Sequence, residues 1–134
     1  MPDLKAAELY CAMARRDLRA LQGMGDASVF EDAVFGFHAQ QAVEKALKAW
    51  LCLVNEHVQR THDLASLSAQ LKGAGVSEVV DYDDLLDLTD FAVAFRYSAM
   101  ELDLDLDRAA LAARVGAVVS RVGALFDLMA AQSG

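Results

Sequence analysis

The chemistry-bearing residues of this chain concentrate in one stretch, Phe37-His38-Ala39-Gln40-Gln41-Ala42-Val43-Glu44-Lys45-Ala46-Leu47-Lys48-Ala49, which is helical in composition and contains no breaker. With Gln41 as origin and about 100° per residue, His38, Gln41, Glu44, Lys45, Lys48 and Cys52 fall within about 60° of one line. Gly36, Ala39, Val43, Ala46, Leu47, Trp50 and Leu53 fall on the other side. One helix therefore carries a small-residue packing face and a continuous polar stripe offering ammonium, carboxylate and carboxamide groups. The same stripe also reads as a solvated face, with Glu44–Lys48 an i,i+4 pair worth about 0.3–0.5 kcal/mol.

Other chemistry-bearing patterns are weaker. Asp83-Asp84-Leu85-Leu86-Asp87 has the spacing of the aspartate-rich metal motif of isoprenoid synthases. Those enzymes need a larger helical cavity and a second aspartate cluster, so the pattern reads as solvated aspartates around core leucines. Asp103-x-Asp105-x-Asp107 begins like a calcium loop, but Arg108 stands where glycine is needed and Arg114 where glutamate is needed. His38 lies on the polar stripe, His62 beside a helix start, and His57 in a loop. No two histidines have the i,i+3 or i,i+4 spacing that converges on zinc. Neither a metal nor a cofactor is expected.

The elements that must hold the stripe follow from punctuation and periodicity. Proline occurs only at position 2, and strand signals are nearly absent. Pro2 suits the first turn of a helix running to about Met24, with Leu4, Ala7, Tyr10, Ala14, Leu18 and Leu21 along one face. Gly23 to Asp26 make a break, and Ser28-Val29-Phe30-Glu31 reads as a capping box opening a second helix that continues to about Val54. A loop through Asn55 to Arg60 leads to a short third helix. Thr61 or Asp63 caps it, Leu64, Leu67 and Leu71 form its stripe, and Gly73 and Gly75 end it. Ser77 opens a fourth, from Glu78 to about Met100, burying Val80, Leu85, Leu88, Ala92 and Phe95. A fifth begins within Asp103 to Asp107 and turns Leu106, Ala110, Ala113, Ala117, Leu125, Leu128 and Met129 inward. Short connections between long helices predict one domain over residues 1–134, an all-α up-and-down antiparallel bundle of four to five helices.

At 134 residues the chain can bury a core without staples. Cys11 and Cys52 have no metal-site spacing, so buried thiols in a reducing cytoplasm are expected. No leader pattern and no run of about 18 apolar residues is visible, which predicts a cytoplasmic protein without membrane contact. An apolar content of 55% with positive mean hydropathy predicts a self-association face, hence a homodimer. Residues 78–107 hold ten acidic side chains against Arg96 alone, a local charge of −9 within a total of −8. That balance argues against general nucleic-acid binding, which needs a basic footprint, and favours a solubilising role for the acidic block. It leaves room for a small basic pocket built from Arg15, Arg16, Arg19, Lys45 and Lys48.

The segment Phe37 to Leu51, the later Thr61-His62-Asp63-Leu64 and Arg96-Tyr97-Ser98, and the upstream Ala14-x-x-Asp17-Leu18-x-x-Leu21 together resemble the HEPN domain family over residues 4–130. HEPN domains are helical bundles often paired with minimal nucleotidyltransferases. Many are RNases whose signature is an arginine, four to six residues and then a histidine. From Arg96 the eligible positions hold Glu101, Leu102 and Asp103, and from Arg60 they hold Ala65, Ser66 and Leu67. No arginine meets that spacing, so the resemblance is to the non-RNase branch, and a catalytic set is not expected.

What the resemblance implies is a module binding a nucleotide or another phosphate-bearing ligand, acting with a separately encoded nucleotidyltransferase in a toxin–antitoxin-like pair. Lys45 and Lys48 would meet phosphates, and Gln41 would read a base or ribose edge. Arg96 would add a planar anion contact with Tyr97 packed or stacked near it, and His62 would complete the set. Arg96-Tyr97 equally fits a helix-end clamp, with the guanidinium satisfying carbonyls or pairing Glu44. Two other readings stand beside this one: a ligand-free interaction subunit using the second helix as its dimer or partner interface, and a toxin RNase.

Overall fold

The computed structural model describes residues 1–91 and 107–133. Among them are four α-helices, α1 (Leu4–Gln22), α2 (Asp32–Leu53), α3 (Leu64–Gly73) and α4 (Arg108–Ser133), together with a 3₁₀ helix (Ser77–Leu88), and no strand. The all-α bundle expected from the sequence is observed.

Helix α1 starts one turn position later than the proline suggests. The Asp3 side chain accepts from the Ala6 N–H at 3.0 Å, which makes Asp3 the cap and leaves Pro2 outside the helix. Gly23 closes the helix at Gln22 rather than Met24. The Ser28 capping box does not form. Asp26 Oδ1 accepts from both the Ser28 N–H (2.9 Å) and the Ser28 hydroxyl (2.6 Å), so that hydroxyl is occupied in a local turn. Helix α2 opens instead at Asp32, after Glu31, with no side-chain cap.

Helix α2 is the buried axis, packed by α1, α3, α4 and the 3₁₀ helix. Its expected packing face is buried throughout: Gly36, Ala39, Val43, Ala46, Leu47, Trp50 and Leu53. Leu64, Leu67 and Leu71 of α3 join that core, and Asp63 caps α3 through the Ala65 N–H at 3.1 Å. Gly75 takes a φ of 92°, a left-handed turn that glycine adopts without strain.

Two expectations need correction in the second half. Residues 77–88 form a 3₁₀ helix rather than an α-helix. A 3₁₀ helix repeats every three residues, so Val79, Tyr82, Leu85 and Leu88 fall on the inner face, while Val80 is exposed. Ala92 and Phe95, also expected inside, lie outside the described residues. Asp107 caps α4 through the Ala110 N–H at 3.0 Å, within the expected start. The inner face of α4 is Val115, Val118, Val119 and Val122 with Leu125 and Met129 packed beside them, whereas Ala110, Ala113, Ala117 and Leu128 face outward. Branched side chains bury more apolar area than alanine, and they set the helix rotation. An 18-residue window of α4, interrupted by charged residues as the sequence shows, is apolar enough on average to cross a membrane by length and composition, and 22% of that window is buried.

Arg108 joins the start of α4 to the α1–α2 connection. Its guanidinium donates to the carbonyls of Met24 (2.7 Å) and Phe30 (2.6 Å) and to Asp32 Oδ1 (2.8 Å), and it lies 4.9 Å above the Phe35 ring centroid. Arg114 forks onto Asp84 with both contacts at 2.9 Å, and Arg121 onto Glu78 at 2.6 and 3.1 Å, tying α4 to the 3₁₀ helix. Lys72 takes Asp83. Part of the acidic block is thus spent on intramolecular pairing.

Candidate functional site

The polar stripe of α2 is buried. Glu44 and Gln40 are 0% exposed, and the Lys45 and Lys48 side chains are 13% and 10% exposed. The solvated-face alternative therefore fails, because α3 and its approach cover the stripe. The α2 interface reading fails for the same reason: the helix is consumed by the core of its own bundle.

Glu44 is the centre. Its Oε1 accepts from Gln40 Nε2 at 3.1 Å and from His62 Nδ1 at 2.8 Å. Its Oε2 accepts from Lys45 Nζ and Lys48 Nζ, both at 3.1 Å. Four donors thus fill the acceptor sites of one carboxylate. Gln41 closes the ring of contacts, donating to Gln40 Oε1 at 2.7 Å and accepting from Lys45 Nζ at 3.2 Å. Gln40 Nε2 also donates to the His62 carbonyl at 2.9 Å.

Burial pushes the Glu44 carboxyl pKa up, but the hydrogen bonds from His62 and Gln40 and the charge and hydrogen bond of Lys45 outweigh it and hold it down at about 2. An ionised carboxylate can only accept, so the His62 contact fixes the proton on Nδ1. Nε2 is then the remaining nitrogen on a side chain that is 48% exposed.

Gln41, Lys45, Lys48 and His62 are thus brought together as the sequence suggested, around Glu44. Arg96 and Tyr97 lie outside the described residues. Arg15, Arg16 and Arg19 are exposed along α1, and none of them is among the described donors to Glu44. His38 leaves the cluster and meets Asp17 of α1 at 3.2 Å. His57 is an exposed loop residue whose carbonyl accepts from Gln70. Cys11 and Cys52 are buried free thiols, and burial pushes both up. Among the described residues no three His, Cys, Asp or Glu side chains group to hold a metal.

Sequence reasoning missed Gln40 as a member and treated Glu44 as a flank of the stripe. The signal was present. Gln40 lies about 40° beyond Glu44 toward the packing face, a border where polar side chains are enclosed rather than solvated.

The family model of the HEPN domain matches residues 7–122. Searches among curated proteins and among solved structures return no match.

Proposed function

The chain belongs to the HEPN domain family, and from that premise we propose that it is a binding module for the phosphate group of a nucleotide, acting with a separately encoded minimal nucleotidyltransferase in a toxin–antitoxin-like pair. The observation that carries this reading is the charge of the Glu44 cluster. Two ammonium groups converge on one carboxylate, which leaves one uncompensated positive charge. Such a charge in a partly enclosed setting attracts an anion more strongly than the same charge in water. Gln41 stands beside Lys45 to meet a base or ribose edge. The absence of the arginine–histidine spacing favours binding over RNA cleavage, and the sequence holds no nucleotidyltransferase motif.

A thermal-shift titration with ATP, GTP and their mono- and diphosphates tests the reading, run beside a Lys45→Ala/Lys48→Ala variant. A ligand confined to the folded state adds RT ln(1 + [L]/Kd), about 2.7 kcal/mol at a hundredfold excess over Kd. A shift in the wild type that is lost in the folded variant supports binding at the cluster. Flat titrations to millimolar nucleotide would reject it.

The outward alanine face of α4 favours a second reading, a ligand-free interaction subunit that pairs with a copy of itself. Ala117→Glu would then convert a dimer to a monomer in light scattering.

A further inference from the structure

We propose that His62 is a nucleophilic histidine whose Nε2 accepts a phosphoryl group, with Glu44 as the residue that positions it. The ring is held at Nδ1 by Glu44 Oε1 (2.8 Å), and the backbone of the same residue is held at its carbonyl by Gln40 Nε2 (2.9 Å). The next residues are fixed as well: the Asp63 N–H donates to Thr61 Oγ1 at 3.0 Å, Asp63 caps α3, and the Leu64 N–H donates to Thr89 Oγ1 at 3.0 Å. An imidazole fastened at Nδ1 to a buried carboxylate is locked in the tautomer that leaves a lone pair on Nε2. Here that nitrogen belongs to a half-exposed side chain at the edge of a cationic cluster.

The carboxylate does not repel an incoming anion, because Lys45 and Lys48 hold its other oxygen. The phosphoryl donor required is one with a good leaving group, of the acyl phosphate or phosphoramidate class. The Nε2 lone pair forms the N–P bond as the bond from phosphorus to the leaving group breaks, and the leaving group departs with that electron pair. The proton on Nδ1 stays in place, and the positive charge that develops on the ring lies against Glu44. No proton has to leave Nε2 first. His38 shares the Nδ1–carboxylate contact, to Asp17 at 3.2 Å, but its side chain is less exposed at 30%, and among the described residues no lysine pairs with Asp17 as Lys45 and Lys48 pair with Glu44.

This inference deepens the phosphate reading above, yet the two fail separately, since one is read by covalent modification and the other by nucleotide binding. The purified protein is incubated with potassium phosphoramidate and followed by ³¹P NMR and peptide mass spectrometry under neutral to alkaline conditions. His62 should be modified at Nε2 about 10–100-fold faster than His57 in the same molecule, the scale on which orienting partners act. That preference should vanish in Glu44→Gln, and His62→Asn should carry no label at this site. Independently of how that variant folds, ¹⁵N NMR of the unmodified wild type should show neutral His62 protonated on Nδ1. Modification of His62 no faster than that of His57, or a neutral ring protonated on Nε2, overturns the proposal. A flat nucleotide titration with rapid His62 modification leaves it standing and removes only the nucleotide.

Discussion

Glu44→Gln keeps the shape of the central side chain and removes the only negative charge of the cluster. Lys45 and Lys48, with side chains 13% and 10% exposed, are then left against a neutral amide. Folding holds the carboxyl at about 2 against an ordinary value of 4.5. At about 1.4 kcal/mol per unit, that difference corresponds to about 3 kcal/mol of stability near neutral pH. Removing one partner from a buried ion pair costs about 3–5 kcal/mol, in agreement. The expected loss of about 3 kcal/mol lowers the melting temperature of a chain this size by about 10 °C. Because folding depresses this pKa, the stabilisation is complete above about 4.5 and is lost as pH falls toward about 2. The gap between wild type and variant should therefore close across that window. Urea denaturation of both proteins near pH 7, 4.5 and 3 measures it. A gap under about 1 kcal/mol near neutral pH, or one that does not narrow on acidification, would refute the assignment of Glu44 as the ionised centre.

Three further substitutions probe the frame that holds the site. Arg108→Lys should cost about 2–4 kcal/mol in chemical denaturation, because a lysine cannot fork between the Met24 and Phe30 carbonyls and Asp32. Gly36→Ala should lose about 1–3 kcal/mol by calorimetry, since a Cβ at position 36 overlaps the Phe91 ring. Asp63→Ala removes the α3 cap at the Ala65 N–H and the contact to Ser66 Oγ (2.8 Å). It should cost about 1 kcal/mol with faster amide exchange in the first turn of α3.

The half of the molecule around α2 was legible because its signals are local. The small-residue face, the leucine triad of α3 and the Asp63 cap each depend on residues a few positions apart. Residues 77–88 were misread although their three-residue period, Val79–Tyr82–Leu85–Leu88, stands in the sequence. The α-helical template kept only Leu85 and Leu88 of that set and concealed the shorter repeat. The rotation of α4 was misread because alanines and valines alternate around it, and only the neighbouring helices select which are buried.

The sequence by itself determined the helical class, the packing face of α2 and the gathering of Gln41, Lys45, Lys48 and Glu44 on one side of it, since 100° per residue is a property of the backbone. Only the tertiary structure decided that this side is enclosed. It also decided that Glu44, not a lysine, is the centre of the cluster. The reason is distance along the chain: His62 lies 18 residues beyond Glu44, and Arg108 grips Met24 across 84. Contacts of that span are set by how helices fold back on one another, and their energies depend on a burial that no local spacing encodes.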